Sequence, residues 1–183
     1  MQPANEAQRM TSRGPAPHVE HPSRRLVIAL PLTYVQAVER YERLVPPADL
    51  PAFLDAPSWQ AAVDLAGRSA PYGFLRYHQI DLSALMGDSG APWKAIQYLT
   101  GNHTIAARMF RINPAVMLHA PLRTLLFGNV DGQTSLAVDQ PSLLFDSYLD
   151  DEISSVGTEL DQMLSRLITA LGGVVPAELS ESL

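Results

Sequence analysis

The sequence predicts an α+β domain: one mostly antiparallel sheet with helices packed on one of its faces. Three observations carry that expectation. Apolar runs of strand length, such as Leu26–Leu30 and Trp93–Leu99, alternate with amphipathic helical stretches. Asp131-Gly132 sits between two strand-like runs, the pattern of a hairpin. The stretch from Asp150 to Leu171 holds Ile153, Val156, Leu160, Met163, Leu167 and Leu171 at spacings of three and four, which is one long helix with a buried stripe. A sheet buries one face most simply against such helices.

Each element has a local cause. Residues 1–23 are polar and proline-rich and cannot bury enough surface to offset ordering entropy, so a disordered arm is expected, with His18 and His21 in solvent. Leu26–Leu30 reads as a buried strand ended by Pro31. Thr33 and Gln36 match a capping box, and Tyr34, Val38, Tyr41 and Val45 put one apolar face on a helix to about Leu44, with the tyrosine hydroxyls at its rim. Pro46-Pro47 stops that helix. Asp49–Pro57 reads as an irregular connection. Ser58–Arg68 reads as a second helix anchored by Trp59, with Ala62, Val63 and Ala66 beside it.

Phe74–Asp81 reads as a strand with Arg76 and His78 on one face, and Trp93–Leu99 as the next, with Ile96 and Tyr98 on the face away from Ala95 and Gln97. Asn102 caps a helix whose expected buried stripe is Ile105, Ala106, Met109 and Phe110. Asn113-Pro114 ends it. A type I′ turn at Asp131-Gly132 joins the next two strands. Ser142–Tyr148 suits a turn of helix, Asp150–Glu152 favour the start of the long helix through its dipole, and Gly172-Gly173 closes it. The expected organisation is an arm over 1–23, one domain over 24–173 and a tail over 174–183.

Composition narrows the function. The chain has 183 residues, 46% of them hydrophobic and 17% charged, with a net charge of -6. That size suits one domain, and an acidic balance argues against nucleic acid as a partner. The absence of cysteine removes disulfides, thiol catalysis and thiolate metal sites. The N-terminal stretch has no apolar run resembling a secretory signal, and no segment reaches the ~20 apolar residues of a membrane helix. A soluble, cytoplasmic protein with no membrane partner is therefore expected.

No phosphate loop, HExxH, GxSxG or calcium-loop pattern is present. His78, His103, His119 and Asp139 have no ligand-like spacing to one another, so no metal and no cofactor is expected. The Gly101–Thr104 helix start offers free backbone N–H groups to an anion, and Arg123 could add a bidentate contact. The candidate ligand-binding residues are Asn102, His103, His119 and Arg123, with Tyr98 and Asp139 as walls. A capped helix start in solvent also accounts for Asn102 and His103, and a loop histidine beside a proline for His119. Two other classes stay open: an enzyme pairing His119 with Asp139, and an interaction module using the Ile153–Leu171 stripe.

The run GNHTIAARMFRINPAVMLHAPLR over Gly101–Arg123, the hairpin after it, Val138–Ser142 and the ELDQML helix resemble domain-of-unknown-function family three hundred and two, an uncharacterised bacterial family. The resemblance covers roughly Leu26–Leu171. It implies a fold like that of the TATA-box-binding protein (strand, helix, four antiparallel strands, helix), here with an extra helical insertion around Asp49–Ser69. It also implies a homodimer. It implies no settled activity, so a non-catalytic homodimeric domain binding a small anionic or polar ligand is the expectation.

Overall fold

The computed structural model describes residues 18–180. The expected arm lies outside the described residues apart from its last six. Five strands form one sheet: β1 (Arg25–Leu30), β2 (Leu75–Asp81), β3 (Lys94–Gly101), β4 (Leu122–Gly128) and β5 (Thr134–Asp139), in the spatial order β1-β5-β4-β3-β2. Every neighbouring pair is antiparallel. With α1 (Tyr34–Leu44) after β1 and α7 (Asp151–Leu171) after β5, the strand–helix–four-strand–helix order is present. The α+β class, antiparallel sheet and helical insertion are as expected.

Alternation decides which side the helices cover. Leu26, Ile28 and Leu30 of β1, Leu136 and Val138 of β5, Leu122 and Leu126 of β4, and Ile96 and Tyr98 of β3 are all buried on one face. They meet Ala37, Tyr41 and Val45 from α1 and the whole Ile153–Leu171 stripe from α7 in one core. That stripe is thus core and not a docking surface. The other face carries Val27, Gln97, Arg123, Leu125, Phe127, Ala137 and Asp139 around a shallow depression of about 490 Å3.

Helix ends follow their local chemistry. Thr33 and Gln36 form both halves of the capping box, Ser58 caps α3 (Trp59–Ser69), and Asp150 caps α7. Gly172 ends α7 at φ 88, a left-handed conformation that glycine adopts without a Cβ clash.

Several details differ from expectation. Asp49 caps a short helix, α2 (Leu50–Leu54), inside the stretch read as irregular; Phe53 needed a core contact to hold it. Trp59 is 48% exposed and does not anchor α3, whose buried residues are the smaller Ala62 and Ala66. Phe110 is exposed as well, and only Met109 of the expected stripe is fully buried. The β4–β5 loop has positive φ at Gly132 but not at Asp131, so it is not type I′. Asn129 closes a three-residue loop instead, with its N–H on the Gln133 carbonyl and its side-chain oxygen accepting from the Gln133 N–H.

A β-bulge lies between Arg76 and His78: Arg76 pairs with Thr100, and His78 with Leu99. The extra residue turns Arg76 and His78 to opposite faces, against the simple alternation, and leaves Tyr77 free to point elsewhere. After β2 come α4 (Leu82–Leu85) and a 3-10 turn at Gly87–Ser89; α5 (His103–Phe110) and a 3-10 helix at Pro114–Leu118 bridge β3 to β4. α6 (Pro141–Asp146) leads into α7. Within the stretch read as a tail, α8 (Ala177–Ser180) buries Leu179 against the core.

Candidate functional site

The start of α5 is fully used by the protein itself. Asn102 Oδ1 accepts from the Thr104 N–H and hydroxyl, and its Nδ2 donates to the Gly73 carbonyl. The Asn102 carbonyl accepts from the N–H groups of Ile105 and Ala106. The His103 N–H donates to the Tyr77 hydroxyl at 2.8 Å. The N–H groups of His103, Thr104 and Ile105, which have no partner four residues back in the helix, are therefore taken. An anion at that turn would have to displace them, so the backbone cradle expected there is closed.

His103 sits in an aromatic setting. Its Nδ1 is 2.9 Å from the Tyr77 hydroxyl, and its ring packs against Phe53 at 4.4 Å and Trp59 at 6.3 Å between centroids. Burial lowers its pKa from the ordinary histidine value. Burial raises that of Tyr77, and the hydrogen bond from the His103 backbone opposes the rise.

Tyr98 belongs to the core, not to a ligand wall. Its ring stacks on Tyr41 at 4.7 Å, Arg76 lies over it at 5.8 Å, and its hydroxyl donates to Glu42. Arg76 pairs with the same carboxylate at 2.9 Å. Burial, and then the Glu42 charge, push the Tyr98 hydroxyl well above the ordinary tyrosine value.

The other three candidates come together. His119 follows the 3-10 helix that Asn113 caps, Arg123 is the second residue of β4 and lies on the open face, and Asp139 closes β5. They line one cleft of about 210 Å3 with His21, Ser23, Leu118 and Leu144. The His119 ring meets His21 at 5.7 Å, Tyr148 at 6.0 Å and Phe145 at 6.3 Å. Burial is the largest cause lowering its pKa; nearby His21 and Arg123 add to it, and Asp139 opposes. Arg25 lies 3.9 Å from Asp139, whereas Arg123 forms no salt bridge among the described residues. His119 and Asp139 share no hydrogen bond there either.

Two contributors escaped the sequence reading. His21 falls in a stretch whose composition reads as solvated, and only the fold sets it against His119. Tyr77 meets His103 across 26 residues through the bulge, which no local pattern announces. Arg108 pairs with Glu159 of α7 at 2.6 Å. Among the described residues, no group of three or more histidine, aspartate and glutamate side chains is arranged to hold a metal ion. No described helix is long and apolar enough to cross a membrane.

The family model described as Domain of unknown function DUF302 matches residues 59–171, more than half of the chain. A crystal structure of an uncharacterized conserved DUF302 protein from Bacillus stearothermophilus is similar with a TM-score of 0.60 at 13% identity, over 80% of this chain and 97% of that one. At that identity the likeness shows the fold alone. No curated protein matches.

Proposed function

The chain belongs to the DUF302 family, and we propose that it is a non-catalytic, homodimeric domain that binds a small anionic or polar ligand in the His119–Arg123–Asp139 cleft. One observation carries this reading. A cation without a described ion partner, a histidine disfavouring its charged form and a carboxylate converge on a single cleft. Arg123 suits bidentate contact with a carboxylate or phosphate. Neutral His119 supplies a donor at one ring nitrogen and an acceptor at the other. Asp139 repels a second negative charge and accepts from a hydroxyl or amine. A small carboxylate that also carries such a donor therefore fits better than a bare dianion.

The homodimer half rests on the open sheet face. Arg25, Val27, Leu125, Phe127 and Asp139 lie around the depression there, mixing apolar surface with both signs of charge. A two-fold copy presents the same patch to itself, and such a surface can be self-complementary. Arg123 and Asp139 border both the cleft and this face, so a second copy would help to close the cleft.

Calorimetry with phosphate, glycolate, glycine and citrate tests the ligand. At least one should bind the wild type, and Arg123→Gln should weaken it by about tenfold to a hundredfold, the range of one charge-assisted hydrogen bond. If none of the four binds, or Arg123→Gln binds equally well, the cleft reading fails. Sedimentation of Phe127→Asp tests assembly: the wild type should be a dimer and the variant a folded monomer.

A further inference from the structure

We propose that the cavity beneath α5 is a second binding site, for a neutral, largely apolar small molecule with one hydrogen-bond acceptor that meets His103 Nε2. The cavity holds about 210 Å3 and is separate from the polar cleft, with which it shares Pro121 and Leu122 as a wall. Ile105, Met109, Met117, Phe145 and Leu160 give it an apolar lining, and no Asp, Glu, Lys or Arg side chain lines it. Engineered apolar cavities of roughly 150 Å3 stay dry and take benzene, so this one has room for a ring and a few further atoms. Methionine side chains are flexible and adapt to such guests.

Three polar side chains, Tyr77, Asn102 and His103, are among its lining residues, and their hydrogen bonds identify the ligand's chemistry. Asn102 spends both side-chain atoms on Thr104 and Gly73. The Tyr77 hydroxyl accepts from the His103 N–H and lies 2.9 Å from His103 Nδ1. Its own proton has one acceptor among the described residues, Nδ1. Donating there makes Nδ1 the acceptor nitrogen and leaves the ring proton on Nε2. That Nε2 is buried and has no partner among the described residues. A buried donor left unmet is costly, and a ligand carbonyl or ether oxygen relieves it. Nε2 has no accessible surface in the empty cavity, so the proposed contact requires the His103 ring to turn toward the ligand as it enters. With no cation in the lining, an anion gains nothing here.

The test uses protein with 13C-methyl methionine and three probes: acetophenone, toluene and benzoate. Acetophenone should shift the Met109 and Met117 methyl signals and bind about tenfold more tightly than toluene, the worth of one hydrogen bond. His103→Phe keeps an aromatic ring and should make the two probes equal. Ala106→Leu should fill the cavity and abolish binding of both; if that variant does not fold, the methyl shifts of the wild type still decide. Unmoved methyl signals, equal affinity of the two probes for the wild type, or a preference that survives His103→Phe overturns the proposal. Benzoate serves the polar cleft: any binding it shows should vanish in Arg123→Gln while acetophenone binding persists, so either site can fail alone.

Discussion

Tyr41 links α1 to the middle of the sheet through a ring of three hydroxyls, and breaking that ring has a computable signature. Its hydroxyl lies 2.8 Å from Thr100 Oγ1 and 2.6 Å from Thr124 Oγ1, and the two threonines are 3.3 Å apart. All three residues are at most 2% exposed. Three O–H protons and three contacts close a cycle in which each hydroxyl donates once and accepts once. Burial raises the Tyr41 pKa to about 12, and the two threonine bonds oppose the rise, so the hydroxyl stays protonated as the cycle requires. Tyr41→Phe breaks two contacts and strands one threonine proton. One lost bond of about 1 kcal/mol and one unmet buried donor of about 1–3 kcal/mol give a cost of about 2–4 kcal/mol. Thr100→Val and Thr124→Val each break two contacts as well and should cost about the same. The triple variant removes every polar partner while keeping shape, and such removal is nearly neutral. Urea denaturation at unchanged slope measures each cost. The triple variant should cost far less than the sum of the three singles. Additive costs would refute the closed cycle, because independent bonds add and a shared cycle does not.

Two further outcomes follow from the same structure. His103 and His119 both have lowered pKa values. Between those values and the ordinary one of about 6.5, the unfolded chain binds more protons than the native one, so stability should fall as pH drops from about 7 towards 5. Both rings are partly open to solvent, so the slope is shallow; His103→Phe with His119→Gln should flatten it, and NMR titration should show Asp139→Asn lowering the His119 pKa and Arg123→Gln raising it. Asp161, fully buried on α7, accepts from the Ser142 N–H at 3.0 Å and from Gln140 Nε2 at 2.9 Å, tying the start of α6 to α7. Gln140 keeps other acceptors in Ser142 Oγ and the Glu178 carbonyl, but Ser142 does not, so Asp161→Ala should cost about 2–4 kcal/mol in the same denaturation assay and Asp161→Asn less.

Much of the fold was legible because its causes are local. A capping box needs residues three apart, and Thr33 with Gln36 formed it; Gly172 was readable as a helix stop for the same reason. The α7 stripe and the Ile96–Tyr98 alternation report burial by period alone. The candidate site was legible only in part. His119 and Asp139 stand out because ionisable residues beside prolines and strand ends are few, but the sequence grouped them with Asn102 and Tyr98. The fold separates these: Asn102 is consumed by its own cap, and Tyr98 faces the helices because Ile96 and Thr100 on either side of it do.

What the sequence by itself determined is the main elements, their order and the apolar side of most of them. Those follow from propensity, capping and period, which act within about one helical turn. The tertiary structure alone decided which side chains meet. Tyr41 reaches Thr100 and Thr124 across 59 and 83 residues, and one bulged residue at Tyr77 sets both the facing of Arg76 and the partner of His103. The physical reason is that strand pairing has a period of two, so a slip of one residue reverses a face, and its register is set by packing summed over the whole core.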